Sequence, residues 1–150
     1  MATVHRLEEL NVWKKAREFS GIIFRLTETG ALSSDFDHRR QIRRSADSVM
    51  DNIAEGFGRG SRGEFIQFLG IAKGSLTESK SQLYRALDRH YIGKDTFDSV
   101  YRDADELSGM IARFIGYLNA TTIKGSKYKP LTGVSLLREP EDWSDWTTGD

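Results

Sequence analysis

Asn52-Ile53-Ala54-Glu55-Gly56-Phe57-Gly58-Arg59-Gly60-Ser61 decides the fold, because it joins two heptad-patterned segments within the stretch from Arg43 to Leu87. Its glycines are expected to break the first helix, since glycine costs about 1 kcal/mol of helix propensity relative to alanine. Ser61 followed by Glu64 starts the second helix as a capping box, in which each side chain satisfies an otherwise orphaned backbone N–H. Before the break, Ile42, Ala46, Val49 and Ile53 share one stripe and predict a helix from about Asp37 to Glu55. After it, Phe65, Leu69, Ala72, Leu76, Ser79, Leu83 and Ala86 keep the same rhythm and predict a helix from Arg62 to about His90.

Working outward, Trp13, Ala16, Phe19 or Ser20, Ile23 and Leu26 recur at helical spacing and form one amphipathic helix. Gly30 is expected to supply its left-handed cap, and Ala31 to Asp37 offers serine and aspartate caps for the next helix. Gly93 is expected to end the third helix and Asp95 to cap a fourth, whose Phe97, Val100, Ala104, Leu107, Ile111, Phe114 and Leu118 alternate steps of three and four. A mean spacing near 3.5 residues favours shallow crossing angles, and short loops force neighbours to run antiparallel. The fold class is therefore all-α: an antiparallel up-down-up-down four-helix bundle over residues 1–123, with a C-terminal extension over residues 124–150. Phe68, Ile71, Ile22, Phe24, Ile115 and Tyr117 fall off the stripe, where they either widen the core or line contacts between subunits. Gly70 with Gly74, and Gly109 with Gly116, call for a close helix approach.

With 150 residues and no cysteine, the chain reads as one domain that needs no oxidising compartment. Met1 to Leu10 carries Arg6, Glu8 and Glu9 in place of an apolar signal core, and no segment reaches the roughly 20 apolar residues of a membrane span. A cytoplasmic, non-membrane protein is expected. The zero net charge is a sum of unlike parts: residues 1–129 hold 21 basic and 17 acidic side chains, and the last 21 residues hold 1 and 5. The extension itself divides into a basic linker, Lys124 to Pro130, and an acidic end in which Trp143 and Trp146 are candidates to dock on a neighbouring subunit or another protein. Its acids are alternatively a cover for the arginines.

Arg39, Arg40, Arg43 and Arg44 form the densest basic cluster, with Arg59 and Arg62 following in the next loop. Arg39 and Arg43 flank the apolar stripe, whereas Arg40 and Arg44 point away from it. Arginine suits phosphate because its planar fork donates two parallel hydrogen bonds. The bland alternative is surface ion pairing with Asp47, three and four residues after Arg44 and Arg43. No aromatic platform interleaves with these arginines, so backbone or shape binding is expected over base reading. Asn52, Glu55, Ser61, Glu64 and Glu78 read as a structural polar motif: Glu55 paired with Arg59 or Arg62, Asn52 bonded to loop backbone, and Glu78 joined to an arginine of the preceding helix.

Enzyme signatures are missing. The Gly56 to Gly60 loop has no preceding strand and no following lysine-serine pair, so it does not read as a nucleotide cradle. His5, His38 and His90 are far apart and lack helical metal-site spacing, so no metal is expected. No catalytic residue and no cofactor are assigned.

The run Arg43-Arg44-Ser45-Ala46, Asn52-Ile53-Ala54-Glu55-Gly56, Arg59, Ser61, Glu64-Phe65, Phe68-Leu69, Ile71-Ala72, Gly74-Ser75-Leu76, Glu78 and Gln82-Leu83 resembles the proteins encoded by intervening sequences of bacterial 23S ribosomal RNA genes. Val12-Trp13-Lys14-Lys15-Ala16 and Tyr91-Ile92 extend the resemblance to roughly residues 8–120. It implies an antiparallel four-helix bundle assembling as a homopentamer, without catalysis and with RNA binding. More distantly, the chain is similar to the accessory protein of diversity-generating retroelements, which partners a reverse transcriptase and nucleic acid. Two functional classes stay open: an RNA-binding module, and a scaffold that holds another protein.

Overall fold

The computed structural model describes residues 4–124 and Glu139, and its regular elements are helical. A 3-10 turn, Leu7–Glu9, leads into α1, Asn11–Leu26. A short α2, Gly30–Ser34, precedes α3, Phe36–Gly58, and the chain continues through α4, Arg62–Asp88, and α5, Lys94–Lys124. The four long helices form an antiparallel up-down-up-down bundle. In it α3 packs between α1 and α4, and α5 closes the ring against α4 and α1.

The heptad stripes meet in a single seam. Ile42, Ala46, Val49 and Ile53, the α4 set from Phe65 to Ala86 and the α5 set from Phe97 to Leu118 are all buried. Each large aliphatic or aromatic side chain so buried contributes about 1.5–3 kcal/mol of transfer free energy. Phe65 and Phe114 meet edge to face across the seam with centroids 5.4 Å apart. Of the off-stripe residues, Ile22, Ile115 and Tyr117 widen the core, whereas Phe24 and Ile71 remain 49% and 46% exposed.

Several helix ends differ from the sequence expectation. α1 stops before Gly30: its last turn is closed by Thr27, whose buried hydroxyl lies 2.9 Å from the carbonyls of Ile23 and Phe24. The left-handed Gly30, with φ of 75°, instead opens α2. Asp35 caps α3 by accepting from the His38 amide at 3.1 Å. It also accepts from the Tyr91 hydroxyl at 2.8 Å, so one carboxylate ties the start of α3 to the chain leaving α4. The His38 amide, and after it the Tyr91 hydroxyl, hold that carboxyl below its ordinary pKa.

α3 runs through Gly56 and Gly58, and only Gly60, with φ of 75°, takes the left-handed turn before Ser61. α4 ends without help from Gly93. The Tyr91 amide donates to the Ala86 carbonyl at 2.9 Å and the His90 amide to Leu87 at 3.0 Å, a Schellman closure in which His90 sits at φ of 58° where glycine is usual.

Gly56 explains why α3 continues. A Cβ built there would lie 2.6 Å from Phe68 Cβ and 2.9 Å from Phe65 Cδ2, so the two helices touch at a point that only glycine allows. The expected close approach at the other glycines is not found. A Cβ at Gly70, Gly74 or Gly116 meets nothing within 4 Å, and at Gly109 it meets only the Arg113 side chain.

Above Gly56 the α3–α4 contact is lined by small polar groups. The Ser45 hydroxyl lies 2.7 Å from Ser79 Oγ and 2.6 Å from Gln82 Oε1, and Ser48 meets Ser75 at 2.9 Å. These buried oxygens satisfy one another and so avoid the penalty of an unmade hydrogen bond. His38 ends the row: it is 2% exposed, and its Nε2–H donates to the Gln82 carbonyl at 2.9 Å.

Beyond α5, which takes in Lys124, the described residue of the extension is Glu139. Its carboxylate accepts from the amides of Asn11 and Val12, the latter at 3.0 Å, where the N-cap residue Leu10 offers no side-chain acceptor.

Gly56→Ala should lose about 1–3 kcal/mol in denaturant melts because the added methyl overpacks the crossing, while Gly58→Ala, in open space, should lose nothing. Burial, aided by Arg85 and Arg89, holds His38 below its usual 6.5. Just below that value the unfolded chain therefore binds a proton that the folded one refuses, and stability falls as pH drops through the window. Melts of His38→Gln at pH 7 and pH 5 should show a shallower loss than the parent.

Candidate nucleic-acid interface

α3 carries its arginines in two rows. With 3.6 residues per turn, positions 40 and 44 lie opposite the buried Ile42-Ala46-Val49-Ile53 stripe, and positions 39 and 43 at its edge. The inner pair is used by the fold. Arg43 Nε donates to Thr27 Oγ1 at 2.6 Å and its guanidinium stacks on the Phe24 ring at 4.3 Å, clamping the end of α1 to α3. Arg39 reaches the Ser33 carbonyl at 3.3 Å and lies over the Phe36 ring at 5.2 Å.

The outer pair faces solvent. Arg40 pairs with Asp37 at 3.3 Å, both side chains being about four-fifths exposed, a geometry that contributes little stability. Arg44 is exposed and has no partner among the described residues. Pairing of Arg43 or Arg44 with Asp47 is not found. Asp47 accepts instead from the Ser20 hydroxyl of α1.

Between these side chains runs an open trough of about 770 Å³ along the outer face of α3. Its walls are the four arginines together with Asp37, Asp47 and Asp51, and Phe36 stands at one end. Partial desolvation within the trough, and then the nearby Asp47, push the Asp51 carboxyl above its ordinary pKa although the residue is exposed. Arg59 and Arg62 do not line this trough. Arg59, about 28 Å further along the axis than Arg40 at 1.5 Å per residue, pairs with Glu55 at 3.0 Å and stacks over the Phe68 ring at 5.2 Å. Arg62 is half-buried at the start of α4, where its Nε finds no hydrogen-bond acceptor.

The polar motif is only partly as expected. Glu55 takes Arg59 as its partner, and Ser61 Oγ accepts from the Glu64 amide at 3.2 Å. Asn52, however, bonds back into its own helix, to the Ser48 carbonyl at 2.8 Å and the Ser48 hydroxyl at 2.9 Å, and not to the loop. Glu78 is exposed and accepts from Gln82 at 3.4 Å, not from an arginine. Trp143 and Trp146 lie outside the described residues.

Aromatic rings do accompany the arginines. Phe36 escapes the sequence reading because the helix start is placed one residue late, at Asp37, and Phe24 because it belongs to another helix. Its spacing four residues before Arg40 is the signal that would have found Phe36. Among the described residues no helix is long and apolar enough to cross a membrane, and no group of three His, Asp or Glu could hold a metal ion.

Comparison with known proteins bears on the whole bundle. Residues 8–113 match the family described as 23S rRNA-intervening sequence protein. A crystal structure of a protein with unknown function from the S23 ribosomal protein family, from Bacteroides thetaiotaomicron, is 27% identical and superposes with a TM-score of 0.63. The match covers 69% of this chain and 97% of that one. No curated protein is significantly similar.

Arg43→Ala should destabilise the fold by about 1–2 kcal/mol through loss of its charged hydrogen bond and ring contact. Arg44→Ala should change stability by less than about 0.5 kcal/mol, and paired denaturant melts of the two variants separate these roles.

Proposed function

The chain belongs to the 23S rRNA-intervening sequence protein family, and from that premise we propose that it is a non-catalytic, homo-oligomeric module that binds RNA through the outer face of α3. The proposed setting is a bacterial cytoplasm. The observation that carries the reading is Arg44, a permanently charged fork held at the surface with no intramolecular partner among the described residues, one helical turn from the exposed Arg40. A guanidinium that the fold does not use is available for a phosphate oxygen, and binding releases counterions condensed on the nucleic acid.

Assembly strengthens such a patch. Residues 1–129, the bundle together with the basic linker, carry a net charge of +4, and five copies of that stretch, the number that the family resemblance implies, would carry about +20. Each subunit also presents half-exposed Ile71 between Gly70 and Gly74 on the open face of α4, an apolar and sterically flat strip. A neighbouring copy seated there would account for glycines that nothing in one subunit requires. The same strip supports the alternative reading, a scaffold for another protein such as a reverse transcriptase, in which the arginines are only a solvated face.

A salt titration of RNA affinity decides between them. Binding should weaken log-linearly with salt, and Arg40→Ala with Arg44→Ala should lower the slope by about 1.5, at roughly 0.7–0.9 per phosphate contact. An unchanged slope in the double variant would remove α3 from the interface.

A further inference from the structure

Phe36 is the most exposed large apolar side chain of the described residues, at 70%, and it is the first residue of α3. Residues 36, 40, 44, 47 and 51 follow one another at steps of three and four. Phe36, Arg40, Arg44, Asp47 and Asp51 therefore form a single outward strip about 22 Å long. One face of the ring is backed by the Arg39 guanidinium at 5.2 Å, which is itself held by the Ser33 carbonyl at 3.3 Å. The ring is thus braced from one side and open on the other.

After Phe36 the strip carries two positive charges, Arg40 and Arg44, and then two negative ones, Asp47 and Asp51. Phosphates laid continuously along it would meet Asp47 and Asp51 as well as Arg40 and Arg44, so a double helix, whose bases are turned inward, gains little there. An unpaired strand can divide its groups: backbone phosphate to the arginines, base amino groups to the carboxylates, and one base face to the phenyl ring.

The geometry points to this strip as a site for single-stranded RNA, with Phe36 as the stacking platform for an unpaired base and Asp47 and Asp51 as the groups that disfavour duplex. The inference rests on the RNA-binding reading above and deepens it. Phe36 acts on which RNA is taken, and Arg40 and Arg44 on how strongly its charge is held.

The test uses the full chain, a short single-stranded RNA and the same strand annealed to its complement, read by fluorescence anisotropy at fixed salt. The single strand should bind about tenfold more tightly than the duplex. Phe36→Ala should weaken single-strand binding by about tenfold, the scale of one lost stacked base, and leave the salt slope and the duplex affinity unchanged. Phe36→Trp should restore binding, which a merely structural role would not require. Equal affinity for the two RNAs, or equal behaviour of the Ala and Trp variants, overturns the inference. So does a change in sedimenting mass on Phe36→Ala, which would place the ring between copies of the chain. If Arg40→Ala with Arg44→Ala flattens the salt slope and Phe36→Ala changes nothing, only the stacking site fails. If neither RNA binds, both readings fail together.

Discussion

The contact of Gly56 with Phe65 and Phe68 constrains everything else in the bundle, because it fixes how closely and in what register α3 and α4 run side by side. Where a Cβ would stand 2.6 Å from Phe68 Cβ there is no room for adjustment, so the crossing point is pinned. From that point the short polar side chains align: Asn52 turns inward to Ser48, Ser48 meets Ser75, and Ser45 meets Ser79 and Gln82. A shift of one residue would break these cross-helix hydrogen bonds, about 0.5–1.5 kcal/mol each, and leave Ser45 and Ser79 only the carbonyls of their own helices. The register is therefore enforced twice, by sterics at one end and by hydrogen bonding along the middle.

That register also sorts the charges of α3. Facing Ile42, Ala46, Val49 and Ile53 into the seam leaves Arg39 and Arg43 at the boundary, where Ser33, Thr27 and the rings of Phe36 and Phe24 receive them. Arg40 and Arg44 are carried outward by the same rotation. The elbow is closed separately: Glu55 opposes the negative end of the helix macrodipole, and Arg59 both neutralises it and lies over Phe68, beside the glycine crossing. Of six arginines considered for RNA, three thus hold the fold at α1, α2 or the elbow.

Heptad periodicity made the bundle legible, since every stripe residue from Ile42 to Leu118 named from the pattern on α3, α4 and α5 lies in the seam. Helix ends were less so. Glycine is a good marker of a helix stop only when its conformation is left-handed, which holds for Gly60 but not for Gly56, Gly58 or Gly93. His90 takes the role expected of Gly93, because the Tyr91–Asp35 hydrogen bond and the Ala86 carbonyl fix the chain there from outside. Pair partners between helices were the least legible. Nothing in the local pattern says that Arg43 reaches Thr27 and Phe24, or that Asp47 reaches Ser20, since those meetings depend on the packing of α1 against α3. The same blindness hid Phe24 as the ring under Arg43.

The extension is tied to the body at a place that composition does not reveal. Its acids suggest a counterpart to the arginines, yet Glu139 accepts from the first amides of α1. α1 runs antiparallel to α3, so this cap sits at the end of the bundle where α3 finishes, away from the trough that starts at Phe36. Burial raises the Glu139 carboxyl above its ordinary pKa in spite of the two amide donors and the nearby Lys14. The positive end of a helix is one of few surroundings where such a buried carboxylate is tolerated. Leu10 precedes α1 with no acceptor of its own, and a residue 127 positions from Val12 supplies what the local sequence omits. That acid is committed to capping, so the net charge of the extension overstates what it can offer to the arginines.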